Sequence, residues 1–117
     1  MTIKREDIDS RQVDFSDVST GRRLPPVHPG EILHDEFLEP MSLSVYELAN
    51  AIKVPRSRAN DTVRGRRAIT TDTALRLGRY FGTSPEFWLN LQARHDLDIA
   101  DRTVRKKIEK EIKPYAA

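Results

Sequence analysis

The 117-residue sequence contains no cysteine, which excludes disulfide bonds and thiolate chemistry. It also lacks a membrane-length apolar run, a signal-peptide apolar region, a glycine-rich phosphate loop and a nucleophile elbow. Its histidines have no HExxH spacing, and His28 and His34 beside Glu31 and Asp35 favour a hydrated surface over a metal site. We therefore expect no enzyme, no metal, no cofactor, no membrane contact and a cytoplasmic location.

Charge is nearly balanced over the whole chain but strongly segregated along it. The net charge is +2, from 20 basic and 18 acidic side chains. Residues 53–67 contain six basic side chains and one acidic one, whereas residues 31–47 contain five acidic side chains and no basic one. A localised basic segment supplies the phosphate attraction on which much DNA affinity depends. The segregation therefore favours a nucleic-acid partner over an ordinary solvated helix.

Residues 43–67 have the pattern of two short helices joined by a tight turn. Ser44 and Glu47 have the spacing of a capping box at the first helix start. Pro55 interrupts this helix and suits the start of a second one, which stops at Gly65. Apolar side chains recur on one face of the first helix at Val45, Leu48, Ala49 and Ile52. The pattern predicts a helix-turn-helix, whose second helix enters the DNA major groove.

The whole sequence predicts an all-α chain with three parts. Residues 1–24 alternate charges with few large apolar side chains, which predicts a flexible N-terminal arm. Residues 25–97 contain the apolar periodicity of a five-helix domain. Residues 98–117 form a charged tail whose thin apolar stripe permits one more helix. No segment has the alternation of a strand.

Local signals place the helices that flank the two motif helices. Leu33 and Phe37 share a face of the first helix, which Pro40 ends. A fourth helix is capped by Thr70 or Thr71 and stopped by Gly82. The fifth helix opens with a capping box over residues 83–86 and continues to about residue 96.

The segment from His28 to Leu97 closely resembles the HigA-type antitoxins of the Xre/lambda-repressor-like helix-turn-helix class, also called VapI or plasmid-maintenance antidote proteins. Its most specific motifs are HPGEIL at 28–33, RGRRAIT at 64–70 and GTSPEFWLNL at 82–91. The resemblance implies a five-helix DNA-binding domain that dimerises and represses its own promoter at a palindromic operator. It also implies a partner, a small RelE-like ribonuclease toxin that the protein neutralises.

The sequence departs from the family pattern in two ways. Lys53 follows the first motif helix where the family usually has glycine, so we expect a differently shaped turn. Ala59 and Thr62 are small where the family usually buries branched apolar side chains, so we expect the second motif helix to pack less firmly.

The helix-turn-helix frame assigns two groups of DNA contacts. Arginine binds guanine and asparagine binds adenine bidentately, so the candidate base readers are Arg56, Ser57, Asn60 and Asp61. Asp61 can accept a hydrogen bond from cytosine, but we favour a local pair with Arg58 or Arg64. The candidate phosphate contacts lie at the first helix start, in the turn, and along and beyond the second helix: Ser44, Tyr46, Lys53, Arg58, Arg64, Arg66 and Arg67.

The fifth helix has more apolar side chains than one stripe can bury in a small domain. We expect Phe87, Trp88 and Leu91 to contribute to a two-fold symmetric dimer interface, with core packing as the alternative, above all for Phe87.

Two other functions stay open. One is a stand-alone repressor without a toxin partner. The other is a protein-interaction module that has lost DNA binding, which Asp61 in the second motif helix would favour. A helical RNA binder is disfavoured because no aromatic stacking platform accompanies the basic residues.

Overall fold

The computed structural model describes residues 25–116; the predicted N-terminal arm, residues 1–24, lies outside the described residues. Residues 25–116 contain helices and connecting turns and no strand, which confirms the all-α prediction for this part of the chain. The elements are α1 (Pro29–Ile32), continued by a π-helical segment (Leu33–Leu38), α2 (Val45–Ile52), α3 (Arg56–Val63), α4 (Thr71–Phe81), α5 (Pro85–Thr103) and α6 (Arg105–Glu111). None of these helices is long and apolar enough to cross a membrane.

A single apolar cluster joins the π-helical segment to α2, α3, α4 and α5. Its largest fully buried side chains include Trp88, Leu33, Leu38, Leu48 and Leu77. Full burial of such a side chain stabilises a fold by about 1.5–3 kcal/mol. In contrast, α6 buries no residue. The core therefore lies under the two predicted motif helices, and α6 stands outside it.

The first helix differs from the regular helix that the sequence predicts. The backbone N–H of Glu39 donates to the carbonyl oxygen of His34 at 2.9 Å, five residues back, as in a π-helix. Leu33 and Leu38 are both fully buried, and Phe37 is only partly buried against the core. The sequence predicts that Leu33 and Phe37 share the buried face. The wider π-helical turn instead buries Leu38 together with Leu33.

The first turn of α1 packs directly on the end of α3. A Cβ atom at Gly30 would lie 2.1 Å from the carbonyl oxygen of Thr62, so only glycine permits this approach. Nδ1 of His28 accepts a hydrogen bond from the backbone N–H of Gly30 at 2.9 Å and so caps α1. The close contact fixes the C-terminal end of α3 against α1.

The predicted start of α5 is wrong in detail. Ser84 is the cap, and its hydroxyl accepts from the backbone N–H of Phe87 at 3.1 Å, so the expected capping box over residues 83–86 does not form. The hydroxyl of Thr83 instead accepts from Nε1 of Trp88 at 2.8 Å. This hydrogen bond satisfies an indole that is otherwise fully buried.

The predicted end of α5 is also wrong, because the helix continues past residue 96 to Thr103. The charged residues of this stretch pair along the helix, as Arg102 does with Asp98 at 3.1 Å. The proposed boundary between residues 97 and 98 therefore falls inside a helix. The helix that the tail permits is present as α6.

Candidate nucleic-acid interface

The predicted capping box is present at the start of α2. The hydroxyl of Ser44 accepts from the backbone N–H of Glu47 at 3.0 Å, and the Glu47 carboxylate accepts from the backbone N–H of Ser44 at 2.8 Å. The buried face of α2 contains Leu48, Ala49 and Ile52. The cap and the apolar face together fix α2 on the core, with its N-terminus exposed.

Lys53 adopts the left-handed conformation that the turn requires, with φ 62° and ψ 48°. The expectation of a differently shaped turn is therefore wrong. A non-glycine residue in this conformation costs roughly 1–2 kcal/mol. Two hydrogen bonds from Arg76 of α4 offset this cost, because its Nη1 donates to the carbonyl oxygens of Ile52 at 2.8 Å and Lys53 at 3.2 Å. The helix α4 thus stabilises the turn between α2 and α3.

The carboxylate of Asp72, in the first turn of α4, accepts from two arginines. Nη2 of Arg58 lies 2.6 Å from Oδ2 of Asp72 and 2.7 Å from Oγ1 of Thr73, and Nε of Arg76 lies 2.8 Å from Oδ2 of Asp72. These hydrogen bonds lower the pKa of the Asp72 carboxyl below its ordinary value. Arg58 is partly buried and directed at α4, which favours a structural role over the predicted phosphate contact.

The side of α3 that faces the core, which we call the inner face, consists of Arg58, Ala59 and Thr62. Ala59 and Thr62 are both buried, and a cavity of about 10 Å³ lies between them and the core side chains of α2 and α4. This volume is about that of one water-sized probe. The small side chains therefore leave a packing defect, as the sequence predicts.

The opposite side, which we call the outer face, consists of Arg56, Ser57, Asn60 and Arg64. Arg56, Ser57 and Arg64 are exposed, and Asn60 is partly exposed. No ion pair between residues of the 25–116 range includes Arg56 or Arg64. The structure therefore brings three of the four predicted base readers and one predicted phosphate contact to one accessible surface.

The fourth predicted base reader, Asp61, has a different partner from the expected one. Its Oδ1 lies 3.7 Å from Nη1 of Arg66, and not beside Arg58 or Arg64. The chain reverses at Gly65, where φ is +79°, and the backbone N–H of Arg66 donates to the carbonyl oxygen of Asp61 at 2.8 Å. This reversal places Arg66 over the last turn of α3.

The remaining candidate phosphate contacts flank the outer face. Ser44, Tyr46 and Lys53 are exposed on the α2 side, and Arg66 and Arg67 are exposed beyond the C-terminal end of α3. Their contact with phosphate stays a prediction.

A groove of about 680 Å³ separates the outer face from the acidic first helix. Nδ1 of His34 lies 2.8 Å from the Asp35 carboxylate, and this hydrogen bond raises the pKa of His34. Potential ligand atoms of His34, Asp35 and Glu39 lie within 4.8 Å of one another at the exposed surface. Because metal ligation requires a neutral imidazole, a raised His34 pKa opposes it, and we assign no metal here.

The structure corrects the predicted dimer residues. Trp88 is 0% exposed and packs beside Phe37, with ring centroids 5.0 Å apart, so it has no surface left for a second copy. Phe87, for which the sequence favours core packing, is 37% exposed. Leu91 is partly buried against the core. Several exposed apolar side chains lie further along the chain, on α5 and α6 and directly after each of these helices: Leu97, Ile99, Val104, Ile108 and Ile112.

Sequence reasoning missed Asp72 and Arg76. Their spacing of four residues on one helix is a local signal for an ion pair, which the structure contains at 2.8 Å. The link to Arg58, fourteen residues away in sequence, has no local signal.

Known proteins resemble this chain over the described region. A helix-turn-helix family model matches residues 36–88. Virulence-associated protein I of Dichelobacter nodosus is 53% identical over 79 residues, which cover 68% of this chain and 73% of that protein. Antitoxin HigA-1 of Vibrio cholerae is 40% identical over 90 residues, which cover 76% of this chain and 83% of that one. The structure of Pseudomonas aeruginosa antitoxin HigA with the higBA promoter superposes with a TM-score of 0.75 at 50% identity, covering 78% of this chain and 99% of that one.

Proposed function

The chain belongs to the helix-turn-helix family of HigA-type antitoxins and related regulators, and from this premise we propose that it is a sequence-specific DNA-binding antitoxin. It binds an operator in its own promoter, represses transcription, and neutralises a RelE-like ribonuclease toxin. The supporting observation is the division of α3 into an inner face that is fixed to α4 and an outer face of accessible arginine and asparagine side chains.

The outer face has the chemistry of a base-reading surface. Arg56 and Asn60 lie in the first two turns of α3, where such helices meet base edges in the major groove. Arginine recognises O6 and N7 of guanine, and asparagine recognises N6 and N7 of adenine. Arg66 and Arg67 lie beyond the helix end, where they suit phosphate. A palindromic operator then needs two copies of α3, roughly 10 bp apart.

We therefore propose a homodimer, and we place its interface on the exposed apolar side chains of α5 and α6. Leu97 is 69% exposed and Ile108 is 47% exposed, and both line a cavity of about 280 Å³ between these helices. A second copy removes this surface from water. In sedimentation, Leu97→Ser with Ile108→Ser should shift the protein toward monomer, and the control Tyr115→Ser should not. An unchanged dimer in the double variant would place the interface elsewhere.

The DNA-binding part is tested with the upstream region of the gene itself. The wild-type protein should bind this duplex more tightly than a random duplex of equal length, and Asn60→Ala should reduce this preference. Lys110→Ala, which changes an exposed cation on α6, is the control. Equal affinity of the wild-type protein for both duplexes would contradict sequence-specific binding, and no measurable binding to either duplex would support the interaction module that has lost DNA binding.

The antitoxin part needs a separate experiment. The product of a small neighbouring gene, expressed alone, should inhibit growth, and co-expression of this protein should restore growth. If the protein binds its operator but no neighbouring product is toxic or neutralised, the stand-alone repressor is the correct function.

A further inference from the structure

The side chains of Tyr46 and Arg56 form a contact across the turn between α2 and α3. Cζ of Arg56 lies 5.0 Å from the centroid of the Tyr46 ring, within the range of a cation–π interaction. Tyr46 is the second residue of α2, and Arg56 is the first residue of α3. The Tyr46 side chain is 54% exposed and takes no part in the core cluster. Core packing therefore does not explain the position of the ring.

This contact restricts Arg56 and still leaves its N–H groups accessible. A cation–π interaction is an attraction between the charge and the ring face, and it requires no hydrogen-bond acceptor. The Arg58 guanidinium, in contrast, donates to Asp72 and Thr73, which hold it against α4. Arg66 lies beside the Asp61 carboxylate. Arg56 is thus positioned by a neighbour that does not compete with a base for its donors.

Bidentate recognition of guanine requires a guanidinium that is restricted in position and whose N–H groups are accessible. Two N–H groups must reach O6 and N7 together, so any restriction of the guanidinium before binding reduces the conformational entropy that is lost on recognition. A phosphate contact places weaker geometric requirements on the side chain, because a flexible cation can bind phosphate in many orientations. A positioning residue for Arg56 should therefore change sequence discrimination more than general DNA affinity.

We infer that Tyr46 is a positioning residue that sets the sequence discrimination of Arg56, through its aromatic ring and not through its hydroxyl. The inference rests on the proposed DNA-binding function and deepens it. The alternative role for Tyr46 is the phosphate contact that the sequence predicts, for which its hydroxyl would be the donor. Tyr46→Phe keeps the ring and removes the hydroxyl, whereas Tyr46→Leu removes the ring, so the two roles are separable.

The binding experiment compares operator and random duplexes at one salt concentration. Tyr46→Phe should keep the wild-type ratio of the two affinities, and Tyr46→Leu should lower it roughly two- to fivefold, as expected for an exposed cation–π contact. In an Arg56→Ala background, Tyr46→Leu should have no further effect on the ratio. The control is Tyr115→Leu, at a tyrosine that is 94% exposed in the C-terminal segment.

Three binding results would overturn the inference. Equal losses on operator and random DNA would assign Tyr46 to phosphate binding or to structure. A defect in Tyr46→Phe as large as that in Tyr46→Leu would assign the role to the hydroxyl. A higher ratio in Tyr46→Leu would mean that the ring holds Arg56 away from the bases.

A measurement on the DNA-free protein separates this inference from the proposed function. The ring current of Tyr46 should shift the NMR signal of the Arg56 Nε–H group, and the shift should disappear in Tyr46→Leu and persist in Tyr46→Phe. An Arg56 signal that is unchanged in Tyr46→Leu would overturn the positioning role even if the operator binds. Failure of the wild-type protein to prefer its operator would instead overturn the proposed function, whatever the signal shows.

Discussion

The two faces of α3 use the same residue type in opposite ways. Arg56 and Arg58 are two positions apart, and the sequence assigns both to DNA. On the inner face, the Arg58 guanidinium donates to Asp72 and Thr73 of α4. On the outer face, Arg56 is exposed beside the Tyr46 ring. The comparison shows that a basic helix does not leave all of its cations accessible, because some of them hold the helix in place.

The inner face also determines where the outer face lies. The turn before α3 contains Lys53 in the left-handed backbone conformation. Arg76 donates to the carbonyl oxygen of Lys53 and also to the carboxylate of Asp72. The end of α3 is held by the close approach of Gly30. Contacts from α4 and α1 thus fix both ends of the helix, and the outer face is free to bind.

The largest effect should come from breaking the contact at the end of α3. Gly30→Ala places a Cβ atom 2.1 Å from the Thr62 carbonyl oxygen, so the backbone of α1 or α3 must move. We expect destabilisation of about 3 kcal/mol in denaturant unfolding, the upper end of the usual cost of overpacking, because the clash is with backbone. The control is Gly82→Ala, where φ is +76° but no atom lies within 4 Å of the new Cβ, and where we expect only about 1–2 kcal/mol. Equal costs at both positions would show that the contact does not fix α3.

The next prediction contrasts Arg58, which contacts α4, with Arg67, a predicted phosphate contact. Arg58→Gln should lower the melting temperature and leave the salt dependence of DNA binding unchanged, because Arg58 binds α4. Arg67→Gln should leave the melting temperature unchanged and reduce the slope of log K against log salt by about 0.9, the loss of one phosphate contact. Thermal unfolding and binding titrations at several salt concentrations measure both. A reduced slope in Arg58→Gln would show that Arg58 contacts a DNA phosphate.

Much of the local structure could be predicted from the sequence. The Ser44–Glu47 capping box, the apolar face of α2 and the separation of charge are properties of neighbouring residues, and the structure contains them as expected. Two of the predictions that the structure contradicts depend on contacts between distant segments. Trp88 was placed at a dimer interface because a helical pattern shows that a residue is apolar but not whether Phe37 covers it. Lys53 adopts the left-handed conformation of the turn because Arg76, from α4, donates to its carbonyl oxygen.

Acid should weaken the contact between α1 and α3. Burial, and after it the nearby His95, lower the pKa of His28, while Asp96 and Glu31 oppose the shift. The unfolded chain therefore binds a proton at a higher pH than the folded chain, so stability should fall as the pH decreases below about 6.5. The raised pKa of His34 acts in the opposite direction, so wild type must be compared with His28→Asn, which keeps a capping acceptor. A pH dependence identical in the two proteins would contradict this account.

The smallest effect should come from the packing defect on the inner face. The Thr62 hydroxyl donates to the Arg58 carbonyl oxygen at 2.9 Å but lies next to an apolar cavity, so Thr62→Val should stabilise the fold by about 0.5–1 kcal/mol. Thr103 is the matched control, because its hydroxyl donates to the Ile99 carbonyl oxygen at 2.9 Å on an exposed helix. Thr103→Val should change the melting temperature little. Destabilisation by Thr62→Val would show that the hydroxyl, and not the cavity, dominates at this position.

Base recognition by the outer face of α3 remains the proposal on which the function depends. Its most direct test is selection of binding sites from a random duplex library with the wild-type protein and with Asn60→Ala. Asn60→Ala should lose the base preference at one position of each half-site, at a cost of about 1–3 kcal/mol there, and should keep the other preferences. Unchanged preferences at every position, with uniformly weaker binding, would contradict it.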